Sequence, residues 1–199
     1  MGRSNHPFLP FVPDTATKLI LGSIPPARFC HEELELYCDD VPFFYGSRDN
    51  AFWSLLEHIF QAKLPRKNTE ESVRARMNLL ESKGFGITDI IASCVHQNDS
   101  ASDDDLKDIE YQDLASLLSE KPQIDTLIYT SEFVKKLVNW HFETYHSIDK
   151  GNRRIQSVLI ANKRYLVKIL FSPSPQALIN LGDNGAQKRL KQYADFLKS

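Results

Sequence analysis

The chain has 199 residues, 42% of them apolar, and a formal net charge of −2. That length and apolar content suit one α/β domain with a full core, and the charge excludes a protein held on nucleic acid by overall basicity alone. Three cysteines, Cys30, Cys38 and Cys94, form no CxxC pair, and no stretch reaches the roughly 20 apolar residues of a membrane span, so no disulfide framework, metal centre or membrane partner is expected.

Residues 1–14 hold no signal-peptide core, and a cytoplasmic monomer is expected. Leu19, Ile20 and Leu21, followed by Gly22-Ser23-Ile24-Pro25-Pro26, read as a buried strand ending in a sharp loop. A nucleotide loop needs several glycines and often a lysine, whereas this loop has one glycine and two prolines that remove N–H donors. What remains is a rigid turn suited to a small flat ligand such as a nucleobase. From Asn50 onward, Ala51, Phe52, Leu55, Leu56, Ile59 and Phe60 form one broad helical face, with Asp49 or Ser47 as candidate N-cap. A second helix is predicted over residues 69–83, with Asn68 and Glu71 as a capping box, Val73, Met77 and Leu80 inward, and Gly84 at C′.

Residues 85–92 read as one short strand. Residues 98–108 are acidic and read as a solvated loop, because Asp103, Asp104 and Asp105 lack the ligand spacing of a calcium loop. A helix over 111–119 and a buried strand over 124–130 follow, then an amphipathic helix over 131–146 through Phe133, Leu137, Trp140 and Phe142. Residues 155–161 and 164–171 read as two strands joined by a tight Asn162-Lys163 turn. A final helix over 184–198 is expected to bury Ala186, Leu190, Tyr193 and Leu197.

Strands alternating with helices imply a mostly parallel sheet covered on both faces, with ligands beyond the carboxyl ends of its strands. The loops after Leu21, Ile91, Tyr129 and Phe171 then bring GSIPP, SCVHQN, TSE and SPSPQA around one crevice. FFYGSRDNAFW adds two candidates: Tyr45 either stacks on a flat ring or is simply buried, and Asn50 either positions a water or base edge or caps its helix. The six histidines form no HxH or HExxH arrangement, and no nucleophile pattern is present. Arg153-Arg154 with Lys163-Arg164, and Lys188-Arg189 with Lys191, are either phosphate contacts or solvated faces.

PFLPFVPDTATKLILGSIPP, FFYGSRDNAFW, GITDIIASC and LFSPSPQA, in this order, resemble the uracil-DNA glycosylase superfamily. The resemblance is closest to its hypoxanthine-DNA glycosylase (DNA-deoxyinosine glycosylase) group, which shows LILGSMPG, YY-x-HPRNAFW, D-x-LASC and LPSTSPAN. It spans roughly residues 7–178. It implies one domain over residues 1–199, a three-layer α/β/α sandwich around a short, mostly parallel sheet. It also implies metal-free, cofactor-free hydrolysis of the N-glycosidic bond of a deaminated base, uracil or hypoxanthine, flipped out of DNA.

Carried over by position, Gly22, Ser23, Ile24 and Pro25 would wall the flipped base and Tyr45 would stack on it. Asn50 would be the catalytic amide, since Ser23 and Ile24 offer no strong base. Ser172, Pro173, Ser174 and Pro175 would grip phosphates and present Gln176, Ala177 or Leu178 as a wedge. Arg48, Lys188 and Arg189 would add DNA contacts. Departures from the pattern are Pro26 for glycine, Ser47-Arg48-Asp49-Asn50 for HPRN, and Thr130-Ser131 where relatives read the base edge with Asn-Gly. These departures also suit a non-catalytic relative that binds nucleic acid or nucleotide; a small-molecule nucleoside enzyme of similar fold is a third alternative.

Overall fold

Leu19, Ile20 and Leu21 are all fully buried, as consecutive residues of a strand must be when both faces of its sheet are covered. The computed structural model describes residues 2–96, 106–142, 147–148 and 152–199. In chain order its elements are β1 (Arg3–Asn5), β2 (Lys18–Gly22), α1 (Ala27–Cys30), α2 (Phe52–Phe60), α3 (Glu70–Ser82), β3 (Phe85–Asp89), β4 (Ile91–His96) and β5 (Leu106–Tyr111). There follow α4 (Leu114–Glu120), β6 (Thr126–Tyr129), α5 (Glu132–Phe142), β7 (Ser147–Ile148), β8 (Ile155–Ile160), β9 (Lys163–Ile169), α6 (Pro175–Asn180) and α7 (Gly185–Leu197).

The main sheet runs β3-β2-β6-β9-β8-β7; the first four strands are mutually parallel, β8 pairs antiparallel with β9, and β7 pairs antiparallel with β8. Side chains alternate between its faces. Leu19, Leu21, Leu127 and Tyr129 pack with Leu118 of α4 and Leu137 of α5, while Ile20 and Ile128 pack with Phe52 of α2, Leu80 of α3 and Tyr193 of α7. A second, antiparallel sheet has the order β1-β4-β5. Among the described residues no helix is long and apolar enough to cross a membrane.

Several local expectations are corrected. Residues 85–92 split between two sheets: Ile90 N–H still bonds Gly22 O at 2.8 Å, and the chain then departs along β4. The expected loop over 98–108 ends in β5, which pairs with β4; residues 97–105 lie outside the described residues. The helix expected to reach residue 146 is α5, described to Phe142, and Trp140 is 78% exposed because Val134, Leu137 and Val138 form the inward face. Helix α3 is capped by Thr69, whose side chain accepts from Ser72 N–H, rather than by Asn68. The β8–β9 hairpin turns at Ala161-Asn162, with φ of 48° and 62°, one residue earlier than expected and in the conformation two-residue hairpins favour. Helix α7 turns Arg189 inward and leaves Ala186 exposed, because loop carbonyls recruit the guanidinium.

Candidate active site at the strand ends

Parallel strands point their carboxyl ends at one edge of the sheet, and there β2, β3, β6 and β9 border a cavity of about 150 Å³. Ser23, Ile24, Pro25 and Pro26 line it from the loop after β2, and Tyr45, Ser47 and Asn50 from the segment before α2. Asp89 closes it from the end of β3, Thr130 and Ser131 from the end of β6, and Ser172, Pro173 and Ser174 from the loop after β9. Of SCVHQN, Ser93, Cys94, Val95 and His96 do not line it. Ser93 and Cys94 continue β4, and buried His96 bonds Ser4 Oγ through Nδ1 at 2.8 Å; residues 97 and 98 lie outside the described residues. Among the described residues no group of three His, Cys, Asp or Glu is placed to hold a metal ion.

Gly22 lies beneath the cavity and does not line it. A Cβ on Gly22 would fall 2.1 Å from Asp89 Oδ1 and 2.2 Å from Tyr45 Oη, so only glycine lets these two side chains close over the strand end. Tyr45 itself adopts φ of 55°, a left-handed conformation that costs a non-glycine residue about 1 kcal/mol. Its ring stacks on Phe52 at 4.5 Å, and its hydroxyl meets Thr130 Oγ1 at 2.6 Å. Thr130 Oγ1 is also 3.2 Å from Leu21 O, to which it donates, so the Tyr45 hydroxyl donates to Thr130. Ser131 is engaged as well, its Oγ accepting from Val134 N–H at the start of α5.

The segment carrying Tyr45 is braced from behind. Fully buried Asp40 takes two bonds from Arg28 and accepts the backbone N–H groups of Tyr37 and Arg48. Burial alone would raise its pKa; Arg28 and the two N–H groups outweigh that and hold the carboxyl below the usual range. Trp53 Nε1 donates to Phe44 O at 2.8 Å, pinning the chain beside Tyr45. Arg48 lies outside the cavity, its guanidinium 3.8 Å from the Tyr37 ring and its side chain 44% exposed.

Neither Asp49 nor Ser47 caps α2, whose N-cap position is Ala51 and has no side-chain cap; Asn50, one residue earlier, closes an Asx turn onto the first helical residue, its Oδ1 accepting from Phe52 N–H at 2.9 Å. The turn does not remove Asn50 from the cavity, which it lines. It does fix the amide. With Oδ1 committed to the helix, the Nδ2 donors are the polar end left for a ligand, and among the described residues they make no hydrogen bond within the protein.

Two site residues escaped the sequence reading. His6 Nε2 donates to Asp89 Oδ2 at 2.9 Å, with the two side chains only 2% and 7% exposed. Asp89 Oδ1 is buried and has no hydrogen-bond partner. Asp89 is the aspartate of GITDIIASC, matched above to D-x-LASC without being given a role, and it ends a strand beside Gly22; no motif ties His6 to it.

The rim is built differently. Pro173 O accepts from Ala51 N–H at 3.1 Å, joining the loop after β9 to the start of α2, and Ser174 caps α6. Arg189, expected to face DNA, is instead buried and donates to the carbonyls of Ser172 and Ser174, so it braces this loop from inside. Lys188 is exposed. Pro175 and Gln176 are exposed beside the cavity, whereas Ala177 and Leu178 are half-buried; the protruding apolar side chain of α6 is Ile179, 71% exposed.

No protein-family model matches the chain, and no curated protein matches it significantly. The fold has a solved counterpart. The chain is similar to a Methanosarcina acetivorans protein, solved by NMR and provisionally named a uracil DNA glycosylase, with a TM-score of 0.60 over 98% of this chain and 99% of the other. Sequence identity is 17%, so the likeness is one of fold: a mixed α/β chain around a mostly parallel sheet.

Proposed function

We propose that the chain is a DNA glycosylase that hydrolyses the N-glycosidic bond of a deaminated base, and that its sheet and flanking helices form the three-layer α/β/α frame of such enzymes. The observation that carries this reading is the convergence of Tyr45, Asn50 and the rigid Ser23–Pro25 turn on one cavity of about 150 Å³. That is room for a single base and too little for a dinucleotide, whose sites run to several hundred Å³. The glycine-poor turn supports the same choice, since it approaches a flat ring closely and wraps no phosphate.

In the proposed reaction a nucleotide leaves the duplex and enters the cavity, where the Tyr45 ring, backed by Phe52, stacks on the base. Bond cleavage moves negative charge onto the departing base and positive charge onto the sugar. Asn50 serves through Nδ2–H, donating to the base as its charge grows; the water oxygen bonds C1′ as the C1′–N bond breaks, and the proton that water loses passes to the departing base anion. The Oδ1 of Asn50 is held by α2, so the amide orients and polarises rather than accepting a proton. Ser172 to Pro175, with Gln176 and Ile179 at the tip, contact the strand from which the nucleotide left.

Full-length protein incubated with fluorescent oligonucleotides carrying uracil or hypoxanthine, then treated with alkali, is expected to yield cleaved abasic product. Intact oligonucleotides of both kinds, single- and double-stranded and at low salt, would overturn the enzyme in favour of a binding protein of the same fold.

A further inference from the structure

The oxygen left over at the cavity floor is the group hardest to explain by folding alone. Asp89 is buried, its Oδ2 is held by His6, and its Oδ1 has no partner, although a buried carboxylate oxygen without a donor is costly. The neighbouring hydroxyls are committed, Tyr45 to Thr130 and Thr130 to Leu21 O. The fold keeps Oδ1 in place by having no side chain at residue 22. Asp89 lines the cavity, but Oδ1 itself is closed off beside the Tyr45 hydroxyl over Gly22, so a ligand that supplies its donor must shift that hydroxyl on entering.

We infer that Asp89 is the residue that recognises a deaminated base, its Oδ1 accepting the ring N–H that deamination creates. This rests on the glycosylase reading above. Cytosine and adenine carry a bare lone pair on the ring nitrogen beside their amino group. Hydrolytic loss of that amino group gives uracil and hypoxanthine, in which the same nitrogen bears hydrogen beside a carbonyl. An ionised carboxylate only accepts, so it bonds the N–H of the deaminated ring and opposes the lone pair of the parent. Thymine and guanine share the ring N–H, so this contact separates uracil and hypoxanthine from cytosine and adenine only. Asp89 thus offers at the end of β3 an acceptor for the base edge that the Thr130 side chain, engaged with Tyr45 and Leu21 O, does not offer at the end of β6.

His6 is a positioning residue. Its Nε2–H fixes the carboxylate, while Nδ1 has both Phe8 N–H at 3.1 Å and Phe8 O at 2.9 Å within reach. The ring therefore has a partner at each nitrogen, which holds it in place against Asp89.

The test compares kcat/KM on oligonucleotides carrying uracil against 2-pyrimidinone, and hypoxanthine against unsubstituted purine, each analogue lacking the ring N–H and its carbonyl. Wild type is expected to discriminate by about 10²-fold or more, since sites built to bond a polar group reject analogues lacking it strongly. Asp89→Ala and the isosteric Asp89→Asn, checked for native circular dichroism, should bring both ratios down by about tenfold or more. Intrinsic leaving ability cancels in the comparison with wild type. His6→Gln, which keeps a donor to Oδ2, should retain the discrimination, and His6→Phe should lower it. Unchanged ratios in both Asp89 variants, with uracil or hypoxanthine still excised by wild type, would overturn the role of Asp89 alone. A uniform fall in kcat on all four bases would assign Asp89 to the water instead and also overturn it. Failure of wild type to excise any base would remove the glycosylase reading and this inference together.

Discussion

The floor of the cavity and its rim differ in how tightly the fold holds them. At the floor, Tyr45 accepts a left-handed backbone, Gly22 gives up its side chain, and Asp89 and His6 are buried together. At the rim, α6 buries none of its residues, and Ile179 and Gln176 face outward. Strain and an unpartnered buried oxygen persist only where surrounding structure enforces them, which suits groups that must meet a ligand in one geometry. A rim of exposed side chains suits contact with a long polymer whose register varies. Changes at the floor should therefore alter turnover or folding, and changes at the rim should alter affinity and its salt dependence.

The largest separation of the two regions is expected from Asn50→Ala. Losing a preorganised donor at a developing charge typically lowers kcat by about 10² to 10³, whereas losing one side-chain bond to the first turn of a helix costs only about 1 kcal/mol of stability. Single-turnover excision and thermal unfolding of the same variant measure both. Unfolding that accounts for the whole loss of activity would reduce Asn50 to a turn residue and break the distinction at its strongest point.

Asp40 tests how the floor is supported. Asp40→Asn should destabilise the protein by about 3 kcal/mol, because removing one partner leaves Arg28 and two N–H groups badly matched in a buried setting. The folded carboxyl titrates below its unfolded value. Its contribution is therefore complete above the ordinary carboxylate pKa, near 3.9, and is lost as pH falls through the lower folded value. Urea denaturation at neutral pH and in acid should show the gap between wild type and variant closing only at the acid end. A gap that closes as pH rises would assign the bond to another group.

The same contrast explains what the sequence discloses. Strand β2 and helix α2 are legible because local pattern decides them: three apolar residues before Gly-Ser-Ile-Pro-Pro, and paired apolar residues on one helical face. Three of the loops that converge at the strand ends follow from strand polarity, which places Ser23, Thr130 and Ser172 together without any contact being known, while Asn50 comes from the FFYGSRDNAFW motif. The pairing of Asp89 with His6 is illegible for the opposite reason. Their bond joins residues 83 apart, and β1 and the segment around His6 carry no periodic signal. Arg189 shows the same limit: helical spacing predicts an apolar inward face at α7, and two carbonyls 15 and 17 residues away recruit an arginine to it.

Arg189 and Lys188 adjoin in sequence but belong to different regions, and they set the smallest expected effect. Lys188 is exposed on α7, its ammonium 3.4 Å from Leu181 O, and no carboxylate bridges it among the described residues. If DNA crosses the rim, Lys188→Ala should lower the slope of log affinity against log salt by about 1, uniformly over sequences, with little change in saturated excision rate. Arg189→Ala in the same titration should leave that slope almost unchanged, because a buried guanidinium bonded to Ser172 and Ser174 releases no counterion. It should instead loosen the loop and raise KM for every substrate. Equal slopes for wild type and the Lys188 variant would move the phosphate track away from α7. A lowered slope for the Arg189 variant would mean that the loop it braces carries the phosphates through its backbone N–H groups.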